Sequence, residues 1–277
     1  MNDYLDNDIL INGKYYNTEN VFHINPYRKL KIEKFLGYTI IVVDDFYTNP
    51  DLVRDIALSS TATKHKNWGY PGFRSSFWVD QTFNLPIYEK IIKSVFPELL
   101  YLNDDTLNEI NFNLTKSSDV HSWNNKLGNN ACGPHKDLIE SVPISFGSVI
   151  FLNKEKEFDK DKNGTGFYRH IPTDIIDCNH EVMDYYNKDG YEYSSNPVND
   201  VFFRDSRLCD DWINDGNKYW EMVHLTNMKY NRMVLYPASY FHATYYNNNN
   251  FKDTDSKKDY RIVQASFLRG EENNIDV

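Results

Sequence analysis

His135 and Asp137 are separated by one residue in the run Pro134-His135-Lys136-Asp137. In an extended chain residues i and i+2 project to the same side, so this imidazole and carboxylate can reach one metal ion. A second imidazole, His242, closes the apolar run VLYPASYF. Two imidazoles and one carboxylate occupy one face of an octahedral ferrous ion and leave three positions open. Arg261 follows Tyr260 at the head of YRIVQASFL, and its planar guanidinium suits two-pronged capture of the far carboxylate of a dicarboxylate. With 8 His in the chain, about one His-x-Asp arises by chance. The pair alone therefore says little, and its value rests on the elements around it.

Those elements are mainly short β-strands. Apolar, β-branched and aromatic runs bounded by Asn, Gly, Asp and Lys predict strands over 38–46, 109–114, 145–153, 165–170, 231–239 and 260–268. The order is strand, His-x-Asp, strand, glycine turn, strand, a strand ending in His242, and a strand opening on Arg261. Asn49-Pro50 predicts a helix start, with Leu52, Val53, Ile56 and Ala57 on one face. A second helix is expected from Ile87 to Phe96, and a third around Asp210 to His224. Residues 1–37 read as a loosely structured polar lead-in, and NWGYPGF (67–73) as turn. The stretch 171–230 is too long for a bare loop in a compact domain and reads as an elaboration or lid. The loops 60–75, 171–230 and 243–259 are expected to set specificity, and the NNNN run with 251–259 reads as one solvated loop. The fold class expected is mainly β with flanking helices (α+β), a sandwich or jelly roll.

In this order the residues resemble the Fe(II)/2-oxoglutarate-dependent dioxygenases, a double-stranded β-helix superfamily that includes the prolyl hydroxylases. The segments VIFLN (149–153), GTGFYRH (164–170) and NRMVLYPASYFHA (231–243) are similar to an uncharacterised oxygenase-like family of bacteria and phages. The resemblance spans 107–268 and touches 38–100 through VVDDF and GYPG. It implies a single domain over 1–277, with a β/α support region at 1–106 and a double-stranded β-helix (cupin-like) core at 107–268 that carries 171–230 as an insertion. It makes His135, Asp137 and His242 the ligands of Fe(II), and Arg261 the anchor of the cosubstrate 2-oxoglutarate. The activity implied is oxygenation of an unknown peptide, amino acid or small molecule, with release of succinate and CO2. Related halogenases lack the carboxylate ligand, so Asp137 implies hydroxylation. Many members carry Ser two residues after the Arg, whereas Val263 stands here.

Composition bounds the alternatives. With 30 basic and 40 acidic side chains the net charge is −10, which argues against double-stranded nucleic acid as a partner. No apolar run approaches the length of a membrane span, and the acidic start MNDYLDNDIL lacks the pattern of a signal peptide. Three scattered cysteines fit a reducing compartment. Together these predict a cytoplasmic protein, in the host cytoplasm if the source is viral. Gly164-Thr165-Gly166 lacks the Lys-Ser/Thr of a phosphate loop. His170 reads as a packed histidine, Cys132 as a small buried thiol, and Arg74 as a turn residue able to meet an acidic substrate group. Asn113, Asn153 and Tyr236 read as strand residues within reach of a cosubstrate. Two other readings remain open at this point: a cupin-like metalloprotein that does not use 2-oxoglutarate, and an inert jelly-roll binding module.

Overall fold

The computed structural model describes residues 8–11, 14–63, 72–116, 133–137, 144–179, 182, 202, 213–246, 251 and 254–272. The chain opens with a hairpin, β1 (Asp8–Ile11) and β2 (Lys14–Asn17), and a short helix α1 (Thr18–Phe22) whose first turn is capped by the Asn17 side chain. Strands β3 (Lys29–Phe35) and β4 (Tyr38–Asp44) follow. Leu36 and Gly37 join them, both with positive φ (47° and 88°), as a two-residue hairpin turn matched to strand twist requires. Helix α2 (Pro50–Ser59), β5 (Phe73–Trp78), α3 (Leu85–Lys93), β6 (Leu99–Leu102) and β7 (Glu109–Thr115) complete the first part. The second part is strand after strand: β8 (Ile144–Phe151), β9 (Asn163–His170), β10 (Trp220–Asn227), β11 (Arg232–Pro237), β12 (His242–Tyr246) and β13 (Arg261–Glu272).

Among the described residues the strands form a large antiparallel sheet, in the order β3-β4-β11-β8-β13-β7-β5 with β6 beside the end of β13, and a small one in the order β10-β9-β12. The architecture is therefore mainly β with few helices. Period-two alternation sorts the side chains into two cores. Ile41, Val43, Met233, Leu235, Ile150 and Ile262 face the helices, where they meet Val53, Ile56 and Ala57 of α2 and Tyr88, Ile91 and Ile92 of α3. Each fully buried aliphatic side chain contributes about 1.5–3 kcal/mol. Phe151, Val234, Tyr236 and Val263 project from the opposite face and pack against Phe167 and Tyr246 of the small sheet. A third cluster, with Tyr168, Trp220, Phe241 and Ala243, covers the outer face of the small sheet.

The two sheets are tied along one edge. Glu33 on β3 lies 2.9 Å from His224 Nε2 on β10 and accepts from Thr226 Oγ1 at 3.0 Å, while Phe35 stacks on the His224 ring at 4.8 Å. Burial raises the Glu33 carboxyl, but the hydrogen bonds from His224, Lys31 and Thr226 outweigh it and hold its pKa at about 2.

Several expectations change here. Residues 14–35 are ordered elements rather than a loose lead-in. Strand β3 hid in KLKIEKF because it is an edge strand, and every residue before Phe35 keeps some exposure to solvent. The helix expected at Asp210–His224 is not found in the described part of that segment. Residues 213–219 form a turn in which Gly216 adopts φ +130°, and Trp220 begins β10, whose backbone pairs with β9. The end of the 171–230 stretch thus belongs to the small sheet. Likewise β12 occupies the start of the expected loop 243–259. The NNNN run and residues 69–71 of the GYPG turn lie outside the described residues, and Gly72 takes φ +93° just before β5.

Candidate metal centre

Backbone pairing brings the two histidines together. His135 N–H donates to His242 O and His242 N–H to His135 O, both at 2.9 Å, and Asp137 N–H donates to Ala238 O at 2.8 Å. Residues 133–137 therefore run antiparallel to the chain entering β12, extending the small sheet by one short bridge. Extended geometry then turns His135 and Asp137 to one side, as their spacing predicts. His242 Nε2 lies 3.1 Å from Asp137 Oδ2, and His135 Nε2 lies 3.8 Å from Asp137 Oδ1. One ligand atom from each residue falls within 4.8 Å of the other two. Two donors each about 2.1 Å from an octahedral cation stand roughly 3 Å apart, so the set closes on one ion with small side-chain rotations.

Each histidine presents the right nitrogen. His135 Nδ1 lies 3.2 Å from Gly133 O, and His242 Nδ1 lies 3.0 Å from Tyr240 O. A carbonyl oxygen can only accept, so both Nδ1 atoms carry the proton and both Nε2 lone pairs point to the shared space. In each case the acceptor is the carbonyl two residues earlier in the chain. The centre is graded in depth: the His242 side chain is 6% exposed and Asp137 15%, whereas His135 is 51% exposed and forms the open side. The protein crowding one side of the ring, and then the charge of His242, lower the pKa of His135 and favour its neutral, metal-binding form. Burial raises the Asp137 carboxyl, but His242, His135 and Arg74 overcome that, and its pKa falls below the ordinary value. The donor set therefore fits a divalent cation.

Gly147 on β8 gives the carboxylate room. A Cβ there would meet the Tyr236 ring at 2.7 Å and Asp137 Oδ2 at 3.1 Å. Tyr236 packs its ring on His242 with centroids 4.5 Å apart. Burial and the charge of Asp137 push its hydroxyl well above the usual pKa, against a lowering by Arg261, so the phenol keeps its proton.

Arg261 is 2% exposed. It shares the inter-sheet face of β13 with Val263, lies over the Phe151 ring at 5.6 Å, and donates to Gly164 O at 3.2 Å. Gln264, on the other face, accepts from Tyr47 Oη. Asn153 proves to be a splice: its Nδ2 donates to Tyr260 O and its Oδ1 accepts from Ile262 N–H, both at 2.7 Å, so it grips the backbone on either side of Arg261. The structure thus gathers His135, Asp137 and His242 at one point and sets Arg261 deeper between the sheets.

The other singled-out residues fall elsewhere. His170 ends β9 and is fully buried, beside Thr173 Oγ1 at 2.8 Å and the Trp220 ring. His224 serves the Glu33 tie, and His23 lies 3.1 Å from Thr48 Oγ1. Cys178 is buried; Cys132, His65, His121 and His180 lie outside the described residues. Arg74 was expected in a turn, but it sits on β5 with Nε donating to Asn113 Oδ1 at 2.9 Å, and its charge acts on both His135 and Asp137. The sequence signal for it is weak: Arg74-Ser75-Ser76 is an unbroken polar run, without strand alternation, on an edge strand.

Among solved structures, the chain is similar to a prolyl-4-hydroxylase from Pseudomonas putida, with 12% identity, a TM-score of 0.34, and coverage of 80% of this chain and 88% of that one. It is also similar to an N-substituted L-amino acid dioxygenase from Burkholderia ambifaria, with 9% identity, a TM-score of 0.37, and coverage of 88% and 98%. No curated protein matches the chain. Residues 28–267 match the model of a family of unknown function, DUF6445, and the chain belongs to that family.

Proposed function

We propose that this chain is an Fe(II)- and 2-oxoglutarate-dependent oxygenase with a double-stranded β-helix core, hydroxylating a peptide, an amino acid or another small molecule. The observation that carries the reading is the donor set itself: two Nε2 lone pairs and one carboxylate within 4.8 Å of one another, each histidine fixed in its tautomer by a backbone carbonyl. This is the two-histidine, one-carboxylate face that leaves positions open on ferrous iron.

In this reading His135, Asp137 and His242 hold the iron, and Arg261 holds the distal carboxylate of 2-oxoglutarate. Bound together, iron and 2-oxoglutarate supply oxygen activation coupled to decarboxylation, with succinate and CO2 released. The protein's own residues bind and orient. Asp137 brings the negative charge that favours a dication. The Arg261 guanidinium is preorganised by Asn153, by Gly164 O and by the Phe151 ring, and Val263 keeps water from its stem. The protonated Tyr236 hydroxyl is a hydrogen-bond donor that feels both Asp137 and Arg261. His135, the most exposed ligand, marks the side from which substrate approaches.

Anaerobic addition of Fe(II) and then 2-oxoglutarate tests the reading. A weak visible charge-transfer band is expected, lost in His135→Ala and retained at higher cosubstrate concentration in Arg261→Ala. Absence of the band in folded wild-type protein overturns the reading. Iron uptake with no response to 2-oxoglutarate assigns the triad to a metalloprotein that does not use this cosubstrate.

A further inference from the structure

We propose that the outer edge of β3 is a dimer interface, on which a second copy of this chain lays its own β3 antiparallel, with Ile32 on the two-fold axis. The inference is independent of the oxygenase reading.

Strand β3 ends the large sheet, and among the described residues it pairs with β4 alone. Its two-residue turn closes on Phe35 opposite Tyr38, a hydrogen-bonded pair in turns of this class. Alternation then directs the backbone groups of Glu33, Lys31 and Lys29 to β4, and those of Leu30, Ile32 and Lys34 outward. Such a row of donors and acceptors is a template for another strand. The side chains beside it are also incompletely covered. Leu30 and Ile32 lie opposite Val43 and Ile41, which are fully buried in the helix-side core, yet each is 43% exposed. They form the open margin of that core, with the exposed Tyr27 before the strand and Leu36 after it.

Charge complementarity selects the occupant and its register. Lys31 and Glu33 share the other face of β3 and pair at 2.7 Å within the chain, while Glu33 is held in place by His224 and Thr226. Antiparallel pairing of two copies about Ile32 sets Lys31 opposite Glu33 of the partner subunit, and Glu33 opposite Lys31 of the partner subunit. Four charges of alternating sign then meet across the axis, and opposite charges in facing positions stabilise a strand pair. The outward backbone groups of Leu30 meet those of Lys34 of the partner subunit, and Ile32 meets its own counterpart. Sliding the partner by two residues, the smallest shift that keeps the faces aligned, sets either the two lysines at 31 or the two glutamates at 33 against each other. Like charges directly opposite are destabilising. Lys29, on the same face, is matched within its own chain by Asp45 at 3.0 Å. The strand is therefore complementary to itself in one register, as a closed two-fold dimer requires. Its 7 residues a side fall short of the roughly 20–30 of a standard interface, so a weak dimer is expected, with a dissociation constant on the order of 10 μM.

Sedimentation velocity of the full chain over a micromolar concentration series tests the proposal. A reversible monomer–dimer equilibrium is expected. Ile32→Lys, which places two cations on the axis, and Lys31→Glu, which opposes like charges across it, should each weaken the dimer at least tenfold. Both positions are exposed, and circular dichroism checks that each variant keeps its fold. Cysteine substitution reads the register. The Cα atoms of a hydrogen-bonded antiparallel pair stand about 5.5 Å apart, within reach of a disulfide. Mild oxidation should therefore link two chains of Ile32→Cys, above the background set by the three native cysteines. Leu30→Cys, opposite Lys34 of the partner subunit, should stay at that background. A wild-type monomer throughout the series overturns the proposal and leaves the edge to solvent or to a different protein. A dimer that survives both charge variants overturns it too, by placing the interface elsewhere. Cross-linking of Leu30→Cys as readily as Ile32→Cys overturns the register. Should Ile32→Lys fail to fold, Lys31→Glu and the two cysteine variants still decide the matter.

Discussion

Replacing Asn153 by Ala removes a single buried amide, yet the structure assigns it two strong tasks. Its side chain is fully buried and bonds Tyr260 O and Ile262 N–H at 2.7 Å each, stitching the end of β8 to the start of β13. A third contact to Glu157 Oε2 at 3.4 Å is longer and weaker. Alanine leaves a backbone carbonyl and a backbone N–H buried without these partners, and each such loss costs about 1–3 kcal/mol. The expected destabilisation is therefore about 2–6 kcal/mol, a large share of the roughly 5–15 kcal/mol that holds a domain together. Asn153→Asp should cost at least as much, because a buried carboxylate still accepts from Ile262 N–H but sets an unpaired charge against Tyr260 O and Glu157 Oε2. The same loosening frees the head of β13, so Arg261 loses its fixed origin, and on the proposed oxygenase reading the 2-oxoglutarate requirement should rise several-fold while iron affinity stays put. Urea denaturation measures the first effect, and cosubstrate titration of the iron-loaded protein the second. A loss below 0.5 kcal/mol, on the scale of a neutral surface change, would refute the splice.

Three further outcomes follow from the same geometry. Glu33 has a folded pKa of about 2 against an ordinary 4.5, so its stabilisation is complete above the ordinary value and lost as pH falls towards 2. Glu33→Gln should flatten that acid limb of the stability curve and cost about 1–3 kcal/mol at neutral pH, the pair being partly exposed and screened; an unchanged acid limb by circular dichroism would count against the tie. Gly147→Ala drives a methyl into the Tyr236 ring and the Asp137 carboxylate, so metal affinity by calorimetry should drop about tenfold, with about 1–3 kcal/mol of overpacking. Val263→Ser, which introduces the residue many resembling proteins carry, should destabilise by about 1–3 kcal/mol because the site is 3% exposed among Phe151, Val234 and Tyr246. A more stable Val263→Ser protein with a lower cosubstrate requirement would show that the valine is an impairment rather than part of the packing.

Strands rich in apolar, β-branched or aromatic residues were legible from the sequence. The expected 38–46, 109–114 and 231–239 correspond to β4, β7 and β11, which are largely buried; in β7 the apolar residues alternate with the buried Asn111 and Asn113. Strands β3, β10 and β12 were missed for the converse reason. The first two carry charge on an exposed face at sheet edges, and β12 is a five-residue strand of His, Ala, Thr and Tyr that takes its hydrogen bonds from β9. No local pattern announces a partner that lies elsewhere in the chain.

The same division runs through the candidate site. The sequence by itself determined that His135 and Asp137 can act together, because i and i+2 share a face of any extended segment. Which carbonyls hold the two histidine protons, those of Gly133 and Tyr240, is visible only in the folded chain. Only the tertiary structure decided that His242 joins His135 and Asp137, through paired hydrogen bonds between residues far apart in the chain. It alone revealed Asn153 as the brace of Arg261, and it moved Arg74 from a turn onto β5 beside Asn113. Side-chain direction is a local property of backbone geometry, whereas which faces meet depends on long-range pairing and burial, and those exist only in the folded chain.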